Sequence, residues 1–126
     1  MPKTTILIIE DENDIVIALS IKLKSEGYNT LCANNGDDAI KLAMTESPDV
    51  ILLDIALPNE DGFSVARQLR EHKSTATIPV IFLTALASDE DREQAQRVGA
   101  ASFITKPFKW EHLMKTIHEI ISAGHS

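Results

Sequence analysis

Five short apolar runs, separated each time by a stretch of helical length, restrict the fold of this chain more than any other feature. They occupy residues 5–9, 30–33, 50–53, 80–83 and 102–105. The first, third and fourth are apolar almost without interruption, and a strand that is apolar at successive positions must be covered on both faces. A half-exposed antiparallel sheet does not meet that requirement. Parallel strands between two layers of helix do.

The intervening segments carry apolar residues at helical spacing. Ile15, Ala18, Leu19 and Leu23 form a stripe expected to face the core, with Gly27 as a left-handed cap. Asn35-Gly36-Asp37 opens a second helix containing Ala39, Ile40, Leu42 and Ala43, and Phe63, Val65, Ala66 and Leu69 mark a third. The fourth, over residues 89–98, has little apolar surface and stops at Gly99. Leu113, Ile117, Ile120 and Ile121 define the fifth. Strict alternation of strand and helix predicts an α/β fold of (βα)5 type, a doubly wound parallel five-stranded sheet with right-handed crossovers. The simplest strand order is the flavodoxin-like 2-1-3-4-5.

The 126 residues are expected to hold one domain, residues 1–126, with its core at 5–121 and no space for a second. Twelve Lys+Arg against nineteen Asp+Glu give a net charge of −7 with no local basic patch, which argues against nucleic acid as a partner. No apolar run approaches the roughly 20 residues that span a bilayer, so no membrane association and a cytoplasmic location are expected. Cys32 reads as a small buried apolar side chain, without metal-ligand spacing around it. The histidines His72, His112, His118 and His125 lack such spacing as well and read as surface or helix residues. Trp110 reads as packing at the entrance of the fifth helix, and residues 123–126 as a frayed tail.

In sheets of this kind ligands bind beyond the carboxyl ends of the strands, where the winding direction reverses. The first strand closes on Glu10-Asp11, the third on Asp54, the fourth on Thr84 and the fifth on Lys106-Pro107. With the order 2-1-3-4-5, three carboxylates meet in one crevice beside a hydroxyl and an ammonium. Three like charges need a counter-charge, and carboxylate oxygens with water and a phosphate oxygen are the ligands Mg²⁺ takes. These parts describe phosphoryl transfer onto a carboxylate: Asp54 attacks, while Lys106 and Thr84 hold the phosphoryl oxygens.

The same residues resemble a known family, the receiver domains of two-component response regulators, and in length its single-domain, chemotaxis-type members. The resemblance runs from about Thr5 to Ile121. It is carried by Ile8-Ile9-Glu10-Asp11, by Leu53 to Pro58 followed by Asp61-Gly62, by Leu83-Thr84-Ala85, and by Thr105-Lys106-Pro107-Phe108. It implies Asp54 as phosphoacceptor, Asp11 as a direct Mg²⁺ ligand, Glu10 acting on the metal through water, and the Ala56 carbonyl completing the protein's share of the coordination. Thr84 and Lys106 would bind the phosphoryl oxygens, and Lys106-Pro107 is where the family usually has a cis bond. Glu10 stands where the family often has aspartate.

On that resemblance the chain is a signalling switch, not a metabolic enzyme, with no output domain, and it catalyses only its own phosphorylation and dephosphorylation. Its phosphodonor would be a histidine kinase or a histidine phosphotransfer protein. A downstream protein would read the face made by the fourth helix, fifth strand and fifth helix. Phe103 matches the family's switch aromatic, though the same residue would also serve as plain core. Ile17 and Ile21, one turn apart and opposite the core stripe of the first helix, are expected to be exposed and to form a docking spot for the phosphodonor. Ala56 and Leu86 offer no side chain to orient an attacking water, so hydrolysis of the acyl phosphate should be slow. Two alternatives share parts of the pattern. A Mg²⁺-dependent phosphohydrolase with an aspartate nucleophile normally has a second Asp two residues on, where this chain has Ala56. A flavodoxin-like electron carrier needs a phosphate-cradling loop where this chain has Glu10-Asp11-Glu12.

Overall fold

The computed structural model describes residues 3–124. In chain order its elements are β1 (Thr5–Ile9), α1 (Asn13–Ser25), β2 (Asn29–Ala33), α2 (Gly36–Glu46), β3 (Val50–Leu53), β4 (Ala56–Leu57), β5 (Glu60–Asp61), α3 (Gly62–Glu71), β6 (Val80–Thr84), α4 (Asp89–Arg97), β7 (Ser102–Thr105) and α5 (Trp110–Ala123). Five parallel strands form one sheet in the order β2-β1-β3-β6-β7. This is the 2-1-3-4-5 arrangement of the five apolar runs. The two-residue strands β4 and β5 pair as a small antiparallel hairpin of their own, between β3 and α3.

The pleat of β1 divides the core. Leu7 and Ile9 join residues of α2, α3 and α4 on one face, whereas Ile6 and Ile8 join Leu19 and Leu23 of α1 and Leu113 and Ile117 of α5 on the other. Both faces are thus covered, which is why residues 6–9, 50–53 and 80–83 of β1, β3 and β6 are apolar throughout. Each such Leu or Ile contributes roughly 1.5–3 kcal/mol by leaving water.

Local signals end the elements where the chemistry requires. The Asn35 side chain accepts from Asp38 N–H at 2.9 Å at the start of α2, and Asp61 accepts from Ser64 N–H at 2.8 Å at the start of α3. Ser88 and Asp91 cap α4 reciprocally. Gly27, at φ 93°, follows α1 in a conformation costly to residues with a Cβ.

Two expectations need correction. Ala18 is exposed rather than part of the core stripe. It lines a groove between α1 and the segment joining β7 to α5, with Ile15, Pro107, Phe108 and Trp110, because α1 rests on the sheet through Leu19 and Leu23 alone among its fully buried residues. Cys32 is exposed as well, not a buried apolar side chain. It lies on β2, the outermost strand, which no further strand covers, and its Sγ is 3.6 Å from Ser20 Oγ of α1.

Candidate functional site

Adjacent strands β1 and β3 run parallel in register, Ile9 beside Leu53. The residues that follow them, Glu10 and Asp54, therefore emerge side by side. Asp54 N–H donates to Ile9 C=O at 3.0 Å, and Glu10 N–H to Ala33 C=O at 3.1 Å, so the backbone ladder holds both in place. Both carboxylates are nearly buried, with Glu10 3% and Asp54 5% exposed.

A further fixed point is Gly62. A Cβ there would fall 2.3 Å from the Asp54 carbonyl oxygen, and the Gly62 N–H donates to Ile55 C=O at 2.6 Å. Only a glycine lets α3 begin so close to the backbone that carries Asp54.

Lys106 reaches the pair from two strands away. Its N–H donates to Thr84 C=O at 2.9 Å, continuing the β6·β7 ladder, and its peptide bond to Pro107 is cis. The ammonium donates to Glu10 Oε1 at 2.5 Å and to Asp54 Oδ2 at 3.0 Å. The other Asp54 oxygen accepts from Ala56 N–H at 3.1 Å, and Glu10 Oε2 accepts from Asp11 N–H at 3.2 Å and Glu12 N–H at 3.3 Å. Thr84 is fully buried, and its hydroxyl accepts from Leu86 N–H at 3.1 Å.

Burial pushes the Glu10 carboxyl above the usual carboxylate range, and the Asp54 charge adds to that, while the Lys106 hydrogen bond opposes it. For Lys106, burial works downward but is outweighed by its hydrogen bonds to Glu10 and Asp54, so the ammonium is held charged above its ordinary value.

Among the described residues, carboxylate oxygens of Glu10, Glu12 and Asp54 lie within 4.8 Å of one another. Hard oxygen donors so grouped fit Mg²⁺. Asp11 is exposed and is not in that group. Glu12 takes part although the sequence reading passed over it. In the folded chain Glu12 occupies the N-cap position of α1 and makes no side-chain cap hydrogen bond, which leaves its carboxylate available.

The remaining candidate residues lie outside the carboxylate cluster. Phe103 is half-buried on β7, with its ring centroid 6.3 Å from that of Phe82. Ile17 and Ile21 are 57% and 66% exposed on α1. Trp110 packs edge-on against Phe108 at the start of α5, with centroids 5.2 Å apart. His72, His112 and His118 are exposed, and His125 lies outside the described residues. No described helix is long and apolar enough to cross a membrane.

Known proteins share this fold. The profile of the response regulator receiver domain matches residues 6–118. The chain is 38% identical over 117 residues to the protein PilH of Pseudomonas aeruginosa, covering 93% of this chain and 97% of that one. Its fold superposes with a TM-score of 0.88 on the receiver domain of the sensor histidine kinase PA1611 from Pseudomonas aeruginosa, a structure with a magnesium ion coordinated in its active-site cleft. That pair is 31% identical and covers 96% and 99% of the two chains. The chemotaxis protein CheY4 of Vibrio cholerae gives a TM-score of 0.89 at 28% identity, over 94% and 99%. Strand order, the acidic crevice and these likenesses converge, and the chain belongs to the response regulator receiver domains, the phosphorylation-activated switches of two-component signalling.

Proposed function

We propose that Asp54 is the phosphoacceptor, loaded from a phosphohistidine of a histidine kinase or phosphotransfer protein. The observation that carries this reading is the Lys106 ammonium seated between two buried carboxylates, at 2.5 Å from Glu10 and 3.0 Å from Asp54. An Asp54 oxygen attacks phosphorus, a new P–O bond forms, and the donor's P–N bond breaks with its electron pair leaving on the histidine nitrogen. The Ala56 N–H holds the other Asp54 oxygen and so fixes the attack direction. Lys106 moves from the Asp54 carboxylate onto the incoming phosphoryl oxygens, and the Thr84 hydroxyl, a donor as well as an acceptor, turns toward them.

Mg²⁺ supplies charge neutralisation at the attacking and phosphoryl oxygens when bound. Asp54, Asp11 and the Ala56 carbonyl are its proposed ligands, with Glu10 acting through water and Glu12 within reach. The protein acts only on its own carboxylate and turns over no separate substrate. A cytoplasmic location, where kinases of this kind present phosphohistidine, agrees with the reading.

The test is incubation with a small acyl phosphate, with intact mass as the readout. The mass gain of one phosphoryl group should appear with Mg²⁺ and vanish on chelation. A gain that persists without divalent cation overturns the assignment.

The docking surface for the donor is proposed on α1, the helix that follows Glu10-Asp11-Glu12, where Ile17 and Ile21 expose apolar area. Replacing both with Lys should slow transfer from a phosphohistidine protein about ten-fold, the order expected when two apolar contacts of an interface are lost. Phosphorylation by the small acyl phosphate should be unchanged. Equal slowing of both reactions removes the docking role. The downstream target is proposed to read α4, β7 and α5, the elements around Phe103, whose ring would move inward as Thr84 turns toward the phosphoryl group.

A further inference from the structure

The aromatic packing along the sheet continues into an arginine that the phosphorylation chemistry does not use. Phe63 of α3 packs on Phe82 of β6, with centroids 5.1 Å apart, and Phe82 is paired in register with Phe103 of β7. The Arg92 guanidinium of α4 lies 4.8 Å from the Phe103 ring centroid. A guanidinium within about 6 Å of an aromatic face is held there by the ring quadrupole.

Little else fixes the outer half of α4. Its Arg92, Glu93 and acidic first turn are mostly exposed, and Ala95 is its one fully buried residue. The C-terminal end, by contrast, is anchored. The Arg70 guanidinium of α3 donates to the carbonyls of Val98 at 3.2 Å and Gly99 at 3.1 Å, and also to those of Ala76 and Ile78. The helix is therefore held by hydrogen bonds to the carbonyls that follow it at one end and by a contact with the Phe103 ring near the other.

We infer that Arg92 is a positioning residue for the switch: its guanidinium holds the Phe103 ring half-exposed and ties the N-terminal half of α4 to that ring. The inference rests on the reading of Phe103 as a residue that moves inward on phosphorylation. A contact made in one state only shifts the equilibrium by its differential free energy, and the phosphoryl site must feel the same factor in return. Arg92 thus favours the resting position, and its removal makes the phosphorylated form easier to reach.

The experiment uses beryllofluoride with Mg²⁺ as a phosphoryl mimic on the full chain, labelled with 4-fluorophenylalanine. The Phe103 fluorine resonance is assigned with Phe103→Leu. In the native protein the mimic should shift that resonance. Arg92→Gln keeps the helix propensity and the apolar stem of the side chain but loses the cation. It should move the resonance part of the way without the mimic and tighten beryllofluoride binding about two- to five-fold, the factor expected of an exposed cation–π contact. Arg92→Lys, which keeps a weaker cation, should fall between. A merely structural Arg92 would lower thermal stability and leave mimic affinity alone. Unchanged resonance and affinity in Arg92→Gln, or weakened binding, overturns the inference while leaving the reading of Phe103 intact. A native Phe103 resonance that ignores the bound mimic overturns both.

Discussion

Asp54→Asn is expected to accept no phosphoryl group, from either a phosphohistidine protein or a small acyl phosphate. Glu10 and Asp54 sit together beneath one ammonium, and Asp54 alone has an oxygen bonded to Ala56 N–H in the turn after β3. The amide replaces a nucleophilic oxygen by a donor, so a loss of at least a thousand-fold is anticipated, comparable to removing a catalytic nucleophile elsewhere. Intact mass after incubation with Mg²⁺ and donor reads the outcome directly. A variant that still gains one phosphoryl group would move the acceptor to another carboxylate, with Glu10 and Glu12 the neighbours to examine. The substitution should also leave the fold intact, since it removes one of two like charges from a nearly buried site.

Lys106→Met carries the second large effect, on stability. The change keeps the apolar stem but leaves Glu10 and Asp54, nearly inaccessible to water, without their shared cation. Breaking a buried ion pair from one side costs about 3–5 kcal/mol. Urea unfolding without divalent cation should show a loss of this size. Adding Mg²⁺ at about a hundred times its dissociation constant should return about 2.7 kcal/mol, because an ion that binds only the folded state stabilises it by mass action. The acid side of the profile checks the cause. Glu10 titrates above its unfolded value of 4.5, so the stability tied to its protonation is complete below 4.5 and is lost as pH rises through the raised folded value. The deficit of the variant should therefore narrow as pH falls toward 4.5. A deficit that is the same at every pH and indifferent to Mg²⁺ would show that Lys106 matters through packing alone.

Much of this site is legible in the order of residues along the chain. Continuous apolar runs ending in Glu10, Asp54 and Thr84 are consequences of strands covered on both faces, and in such sheets the residues beyond the carboxyl ends are the ones that meet in a crevice. The helix start at Asn35 and the left-handed Gly27 can likewise be read directly, because each satisfies a need of the backbone within a few residues of itself. Helical spacing also showed that Ile17 and Ile21 point away from the sheet.

What the spacing could not reveal depends on which elements lie next to one another. Ala18 falls on the same helical stripe as Leu19 and Leu23, yet it faces a groove whose far wall, Pro107 to Trp110, is some ninety residues on. Cys32 sits in an apolar run but on an edge strand, where one side has no neighbour. Glu12 and Asp11 are adjacent in sequence, and both carry exposed carboxylates; the turn into α1 brings Glu12 to Glu10 and Asp54 and leaves Asp11 outside that group. The grip of Lys106 on two carboxylates and of Arg92 on an aromatic ring spans up to 96 positions along the chain. Periodicity, caps and strand ends are set by forces acting over a few residues, and the sequence determines them unaided. Who shares a charge with whom is set by how sheet and helices stack, and only the folded chain decides it.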